Sequence, residues 1–543
     1  MKFINTLYHW IDRNILELGR EMRFSYLPPL MVYVAAGVSG ITGIVGTFFV
    51  KEYLGLSAEF LAALGFWMGI PWALKMPLGH LVDLIWKFKS IMVFIGAALI
   101  ATSLLIMVGL LTDPDAMRRI MSAEAWFVIS ALLAPVGYVV QDVVADAMTV
   151  EAVPKFNSEG KPFDKEILRL MHTTMQTLGR VAIIGGSVLV ALLNVYMFSG
   201  VEALKEAEKV AVYTNIYLIA LLIPLISVLG VALGYYLKWR DYKQLRASGH
   251  SPKQAWQLLN VQEEVPPPNW WILGGSLVFV VFTLTMGLGN FPYNQEIIFL
   301  GSMVIVLFLM SRLIKVLDMD ARNTLVGTAV IIFVYRATPT PGAGSTWWMI
   351  DQLGFDQQFL SVLSLIGAAL TLFGMFIFRR FMAEKSIAYI VVFLTIISTV
   401  LTLPIVGMYY GLHEWTSALT GGVVDARFIA LVDTALESPL GQIAMIPMLA
   451  WIANSAPSKL KATFFAVMAS FTNLALSASQ LGTKYVNQIY TVTREVRDPV
   501  TTAITVPADY SELGMLLITV TILVFCLPLI AIVIVKRTRL QSA

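Results

Sequence analysis

The feature that most limits what this chain can become is a succession of apolar stretches long enough to cross hydrocarbon. They lie near 28–50, 60–80, 90–111, 124–148, 169–198 and 213–238, then near 269–290 and 296–316. Six more follow near 324–345, 358–380, 387–411, 426–453, 462–488 and 511–536. A helix needs about 20 mainly apolar residues to span a bilayer, so the pattern predicts fourteen spans arranged as six, two and six. Composition removes the alternative of a water-exposed globule. Of 543 residues 57 % are hydrophobic and 13 % charged, with a mean hydropathy of +0.75, against about a quarter charged in a soluble domain. The expected fold class is an all-α polytopic membrane protein.

The same reading excludes several functions. The one cysteine, Cys526, lies in an apolar span, so neither a disulfide framework nor a thiolate metal centre is available. No phosphate-binding loop, metal-ligand cluster or nucleophile triad is present. ATP-driven transport and hydrolysis are therefore unsupported, no cofactor or metal is expected, and the chain is read as no enzyme. Nothing points to a nucleic-acid partner.

Lys and Arg are distributed unevenly. Counting loops alternately, 26 fall on the side of both termini and the central loop, and 8 on the other. The positive-inside rule then places both termini in the cytoplasm, here expected at a bacterial inner membrane. Residues 1–27 read as an amphipathic cytoplasmic segment lying in the interface. Residues 28–240 form a first six-helix half, 241–268 a Pro- and charge-containing linker, 269–320 an extra helix pair, and 321–543 a second half.

That there are two halves follows from a repeat. The stretch TFFVKEYLGLSAEFL (47–61) returns as TWWMIDQLGFDQQFL (346–360), with Thr, an aromatic pair, an acid, Leu-Gly and Phe-Leu in register. A parallel duplication of six-span halves is the mark of the major facilitator architecture, whose substrate site lies between the halves near mid-membrane.

A charge inside a bilayer costs several kcal/mol, of the order of about 3, and usually faces the bundle interior. The candidate list is therefore short: Lys75, Asp142, Asp146, Arg180, Arg336, Arg427, Asp433 and Glu437, with Glu151 and Asp351 at helix ends. Asp142 and Asp146 are four apart on one face of the fourth span, and Asp433 and Glu437 repeat that spacing in the corresponding span of the second half. These acids are expected to exchange protons or to neutralise Lys75, Arg180 and Arg336 in fixed pairs. The three cations are expected to anchor an anionic substrate, since guanidinium and ammonium groups bind carboxylates. Arg336 precedes Pro339, Pro341, Gly342 and Gly344, a broken-helix signature tolerated at depth where backbone lines a cavity. Phe49, Trp347 and Trp348, at matching positions of the repeat, are expected to stack a flat ring.

Two resemblances add to this. Gly79, Asp83 and Lys87 resemble the loop between the second and third spans of major facilitators, which implies a gating latch. More specifically, LGLSAEFLAALGFWMGIPWALKMPLGHLVD, QDVVADAMTVE, RATPTPGAGSTWWMIDQLGF and PMLAWIANSAPSKLKATFFAVMASFTNLA resemble, in order, motifs of the folate–biopterin transporter family. The resemblance implies secondary transport of a folate- or pterin-like molecule by alternating access, with protons as the coupling ion. It also implies roles for Lys75, Asp142, Asp146 and Arg336. Met76 between Lys75 and Pro77, the extra helix pair and a less basic Asp83 loop depart from the family pattern. They leave open another anionic or aromatic cargo, such as a peptidoglycan fragment, a nucleoside-like solute or a pigment precursor, and a transport-dead scaffold.

Overall fold

The structure, a computed structural model, describes residues 17–54, 56–73, 75–85, 88–154, 163–259, 270–288, 291–315, 317–441, 443, 461–497, 504–538 and 540–542. Most of the expected interfacial segment 1–27 lies outside the described residues.

Helix is present in each of the apolar segments. The first half comprises α1 (Leu27–Gly37), α2 (Gly43–Tyr53), α3 (Ala58–Ala73), α4 (Lys75–Leu84), α5 (Lys89–Thr112) and α6 (Ala123–Ala152). It continues with α7 (Lys165–Met197), α8 (Glu206–Ala220) and α9 (Leu222–Ala247). After the short α10 (Pro252–Leu259) comes the extra pair, α11 (Trp270–Leu288) and α12 (Asn294–Ile314). The second half holds α13 (Met319–Arg336), α14 (Ala343–Leu353), α15 (Gln357–Ile377), α16 (Ile387–Tyr409) and α17 (Leu412–Leu419). It closes with α18 (Ala426–Glu437), α19 (Lys461–Ile489) and α20 (Leu513–Arg537). Ten helical segments among the described residues are long and apolar enough to cross a membrane. A two-stranded antiparallel ribbon, β1 (Val496–Arg497) with β2 (Ile504–Val506), lies between α19 and α20.

Local chemistry sets the helix starts. Ser122, Asp318, Asp356, Ser386 and Asp425 each accept a backbone N–H of the first turn of α6, α13, α15, α16 and α18. Such caps supply partners that lipid cannot. The expected break after Arg336 is present. Helix α13 stops there, Gly342 takes a φ of +78° that favours glycine, and α14 begins at Ala343. The freed backbone is held by α19: Thr340 N–H donates to Thr483 Oγ1 (2.9 Å), Ser479 Oγ to Thr338 O (2.6 Å) and Asn487 Nδ2 to Pro341 O (3.2 Å).

Without a hydrophobic drive between helices in lipid, close packing and polar contacts must hold them. The pair α5–α6 shows both. A Cβ on Gly96 would sit 2.6 Å from Gly137 O, and one on Gly137 2.7 Å from Gly96 O, so the backbones touch. Beside them Ser103 Oγ donates to Ser130 O (2.8 Å), and Gln141 links Val93 O to Ser227.

The halves meet along two seams, α3 on α19 and α7 on α15. Asn473 Nδ2 donates to Trp72 O (3.1 Å) and Gln488 Nε2 to Glu59 Oε1 (2.5 Å) across the first. The extra pair straddles that same seam. Gln295 of α12 donates to Ala63 O in the first half (3.1 Å), while Glu296 pairs with Lys484 (3.0 Å) and Tyr485 (2.7 Å) in the second.

Gly137→Val inserts a branched side chain where backbone now lies. Overpacking of this kind costs about 1–3 kcal/mol, and thermal unfolding of the detergent-purified protein should show a clearly lowered midpoint. Ser103→Ala, which removes only one hydroxyl, should cost about 0.6 kcal/mol and leave the midpoint nearly unmoved.

Candidate transport site and outer gate

Lys75 is the first residue of α4, just past the helix α3 that carries Pro71. Its Nζ contacts Asp142 Oδ2 at 2.6 Å and Asp146 Oδ2 at 2.8 Å, both on α6. Tyr33 of α1 donates its O–H to the other oxygen of Asp146 at 2.6 Å. Three spans of the first half are thus joined at one ionic knot. Arg180, on α7, is close enough to act electrostatically on Asp142 and Tyr33. Two acids with two cations give the knot no net charge. The Asp146 side chain is 43 % exposed against 15 % for Asp142, so one acid is accessible to a solute and the other is enclosed.

A second constellation closes the end that carries the loops after α2, α14 and α19, called the outer end after the charge bias. Lys51 Nζ, at the end of α2, pairs with Asp351 Oδ1 on α14 at 2.5 Å. Tyr510 donates to the second oxygen of Asp351 at 2.5 Å. Arg494, before the ribbon, is 3 % exposed; its Nη1 donates to the carbonyls of Val50 and Lys51, and its guanidinium lies 5.2 Å from the Trp347 ring centre. Burial pulls the Arg494 guanidinium down to about 10, offset in part by Tyr510 and Asp351, so it stays charged near neutral pH. Burial, followed by the bond to Asp351, pushes the Tyr510 hydroxyl up. Below this layer Phe48, Phe49, Trp347, Trp348, Leu54 and Phe355 share one buried apolar cluster. The two copies of the repeat therefore meet at this end.

A profile of the BT1 family matches residues 36–542. The chain belongs to the BT1 family. This bears out the family resemblance carried by the four motifs. A folate-biopterin transporter of Synechocystis sp. is 28 % identical over 154 residues, 28 % of this chain and 30 % of that protein. A putative folate transporter 2 of Plasmodium berghei is 26 % identical over 164 residues, 29 % of this chain and 33 % of that protein. These matches thus span about a third of the relatives' own length. An auto-inhibited POT family peptide transporter of known structure superposes with a TM-score of 0.56 at 12 % identity, covering 96 % of this chain and 98 % of that one. At that identity the likeness shows the fold alone: this BT1-family chain has the major facilitator fold.

The expected site residues separate into groups. Lys75, Asp142, Asp146 and Arg180 gather in the first half. Arg336 ends α13 beside Tyr335. Asp433 and Glu437 stand on α18, and neither is among the partners of Lys75. Phe49, Trp347 and Trp348 are 4 %, 2 % and 5 % exposed, so in this state they pack in the outer seal and present no free face for a ring. Gly79 lies on α4 with open space around it; the side chain of Asp83 and all of Lys87 lie outside the described residues. Sequence reasoning missed Arg494 and Tyr510 altogether and gave Lys51 no role. The available signal was the repeat itself, since the segments duplicated at the ends of the first span of each half meet.

Lys75→Met leaves Asp142 and Asp146 facing each other without their cation. Charge-assisted hydrogen bonds contribute about 1.5–3 kcal/mol each, so the variant should lose thermal stability by at least that amount. The double variant Lys75→Met, Asp142→Leu removes both partners of the shorter contact and should recover most of it. A single variant as stable as the parent would mean that the knot contributes nothing to the fold.

Proposed function

We propose that this BT1-family protein is a secondary transporter that carries a folate- or pterin-like solute by alternating access, coupled to protons. The observation that carries the reading is the outer seal. The halves are joined there by polar, reversible contacts between residues about 300 positions apart (Lys51 with Asp351), over a charged, electrically balanced centre. A static scaffold has no use for a neutral ionic knot buried in lipid, which is expensive to keep.

Substrate class is supported by the names of the relatives and by chemistry. A folate is a flat ring system with a dicarboxylate tail. Arg336 and Arg180 are suited to bind carboxylates through paired hydrogen bonds, and the accessible oxygen edge of Asp146 is suited to the amino-bearing edge of a pterin. Tail binding would compete with the acids for Lys75 and loosen the knot. Phe49, Trp347 and Trp348 then act as the outer gate, offering a ring face only once the seal opens. In this reading the protein is a multi-pass protein of the bacterial inner membrane, both termini cytoplasmic, and no enzyme.

Labelled folic acid should enter proteoliposomes of the full chain saturably. Arg336→Gln should raise KM about 10-fold or more, corresponding to about 1.4 kcal/mol, with a smaller effect on the maximal rate. Correctly inserted protein that transports neither folic acid nor biopterin would overturn the substrate assignment.

A further inference from the structure

Duplication put an acid pair on α6 and another on α18, but the two pairs stand in different surroundings. On α6 both acids are met by Lys75, and Tyr33 adds a hydroxyl. On α18 the buried stripe runs Ala426, Ala430, Asp433, so a carboxyl occupies a position where packing calls for an apolar side chain. Asp433 is 8 % exposed, and its Oδ1 is enclosed with no hydrogen-bond partner among the described residues. Glu437, one turn further, is exposed.

Among the described residues, the elements packed against α18 supply no cation to Asp433. Helix α15 contains no Asp, Glu, Lys, Arg or His, and the titratable side chains of α16 are Tyr389 and Tyr409 alone. The 438–440 turn that follows brings no charge. Helix α17 brings His413 and Glu414 to the opposite, outer start of α18. From α13, Tyr335 is close enough to Glu437 to feel its charge, together with that of its own neighbour Arg336. On α18 itself, Arg427 is held by Gly354 O (2.9 Å) and Asp356 (3.3 Å).

We propose that Asp433, backed by Glu437, is the proton-binding site that couples transport, and that Asp142 and Asp146 serve to hold Lys75. The proposal rests on the transporter reading, although its first test needs no substrate. An ionised carboxylate with an enclosed oxygen and no donor costs several kcal/mol, of the order of about 2–7 even for a neutral polar group, whereas a carboxylic acid bears no charge to solvate. A proton removes that cost without ligands of its own. A metal cation would need a shell of several oxygens, and among the described residues no group of three or more His, Cys, Asp or Glu side chains is placed to hold one. The acid therefore keeps its proton while α18 stays packed, and gives it up through Glu437 when the helix shifts and water reaches it.

Infrared difference spectroscopy of the full chain in proteoliposomes, stepped between neutral and alkaline pH, reads this directly. The parent should show the carbonyl stretch of a protonated carboxylic acid, shifted by carbon-13 aspartate and lost at alkaline pH. Asp433→Asn should lose the band, Glu437→Gln should shift its titration, and Asp142→Asn should keep it. Asp433→Glu retains a carboxyl and should retain a displaced band, which guards against a folding failure in the Asn variant. A band that survives in Asp433→Asn, disappears in Asp142→Asn, or is abolished by sodium at fixed pH would overturn the assignment. Coupling is read separately with labelled folic acid. Asp433→Asn should keep counterflow and lose accumulation driven by a pH gradient; loss of neither would overturn the coupling role. Absent counterflow in the parent with the infrared band in place and lost in Asp433→Asn would count against the folate assignment, and for a proton site at Asp433.

Discussion

Hydrocarbon cannot solvate an ionic group, and this single restriction decides where the charges of the chain are found. With 13 % charged residues in 543, few charges enter the spans, and most that do are in contact with an opposite sign. Lys75 enters the first half because Asp142 and Asp146 receive it. Glu296 enters the extra pair because Lys484 and Tyr485 meet it. Lys51 and Asp351 stand at the rim of the two halves and neutralise each other across them. Removing any one partner leaves a buried charge without its counter-ion, so each pair ties two helices together.

On the proposed function, the duplicated segment turns this restriction into a gate. Each half carries an aromatic pair, then a charged residue, then Leu-Gly. Brought together, the aromatics make a dry layer and the charged ends make a latch above it. Arg494 adds a third component from the loop after α19, by donating to backbone carbonyls that the end of α2 leaves without helical partners. The extra pair bridges the neighbouring seam through Gln295 and Glu296.

Much of this was legible because it is local. The apolar periods, the helix break at 337–342 and the i, i+4 acids are written in consecutive residues, and the structure shows helix, break and shared face where they were expected. The partner of Lys75 stayed open among the acids of both halves, and the structure pairs it with the two on α6. The latch was not legible. Lys51 and Asp351 are about 300 residues apart, and nothing near either one announces the other. The repeat held the information in its symmetry, but its aromatics were read as a stacking surface because period alone does not distinguish a wall from a plug. The contrast between the two acid pairs was equally hidden: the spacing is the same, and only the neighbouring helices, which bring Lys75 to one pair and leave Asp433 Oδ1 without a partner among the described residues, make them different.

The central claim is that the outer end is closed by a reversible latch between the two copies of the repeat. Spin labels at Ser57→Cys and Gln358→Cys, in a Cys526→Ser background, place one probe on each half at that end, and double electron–electron resonance in nanodiscs measures their separation. The account predicts a short distance in the parent and an added longer population when Asp351→Ala removes the latch. The same single distance in both proteins, at neutral pH and with folic acid present, would contradict it.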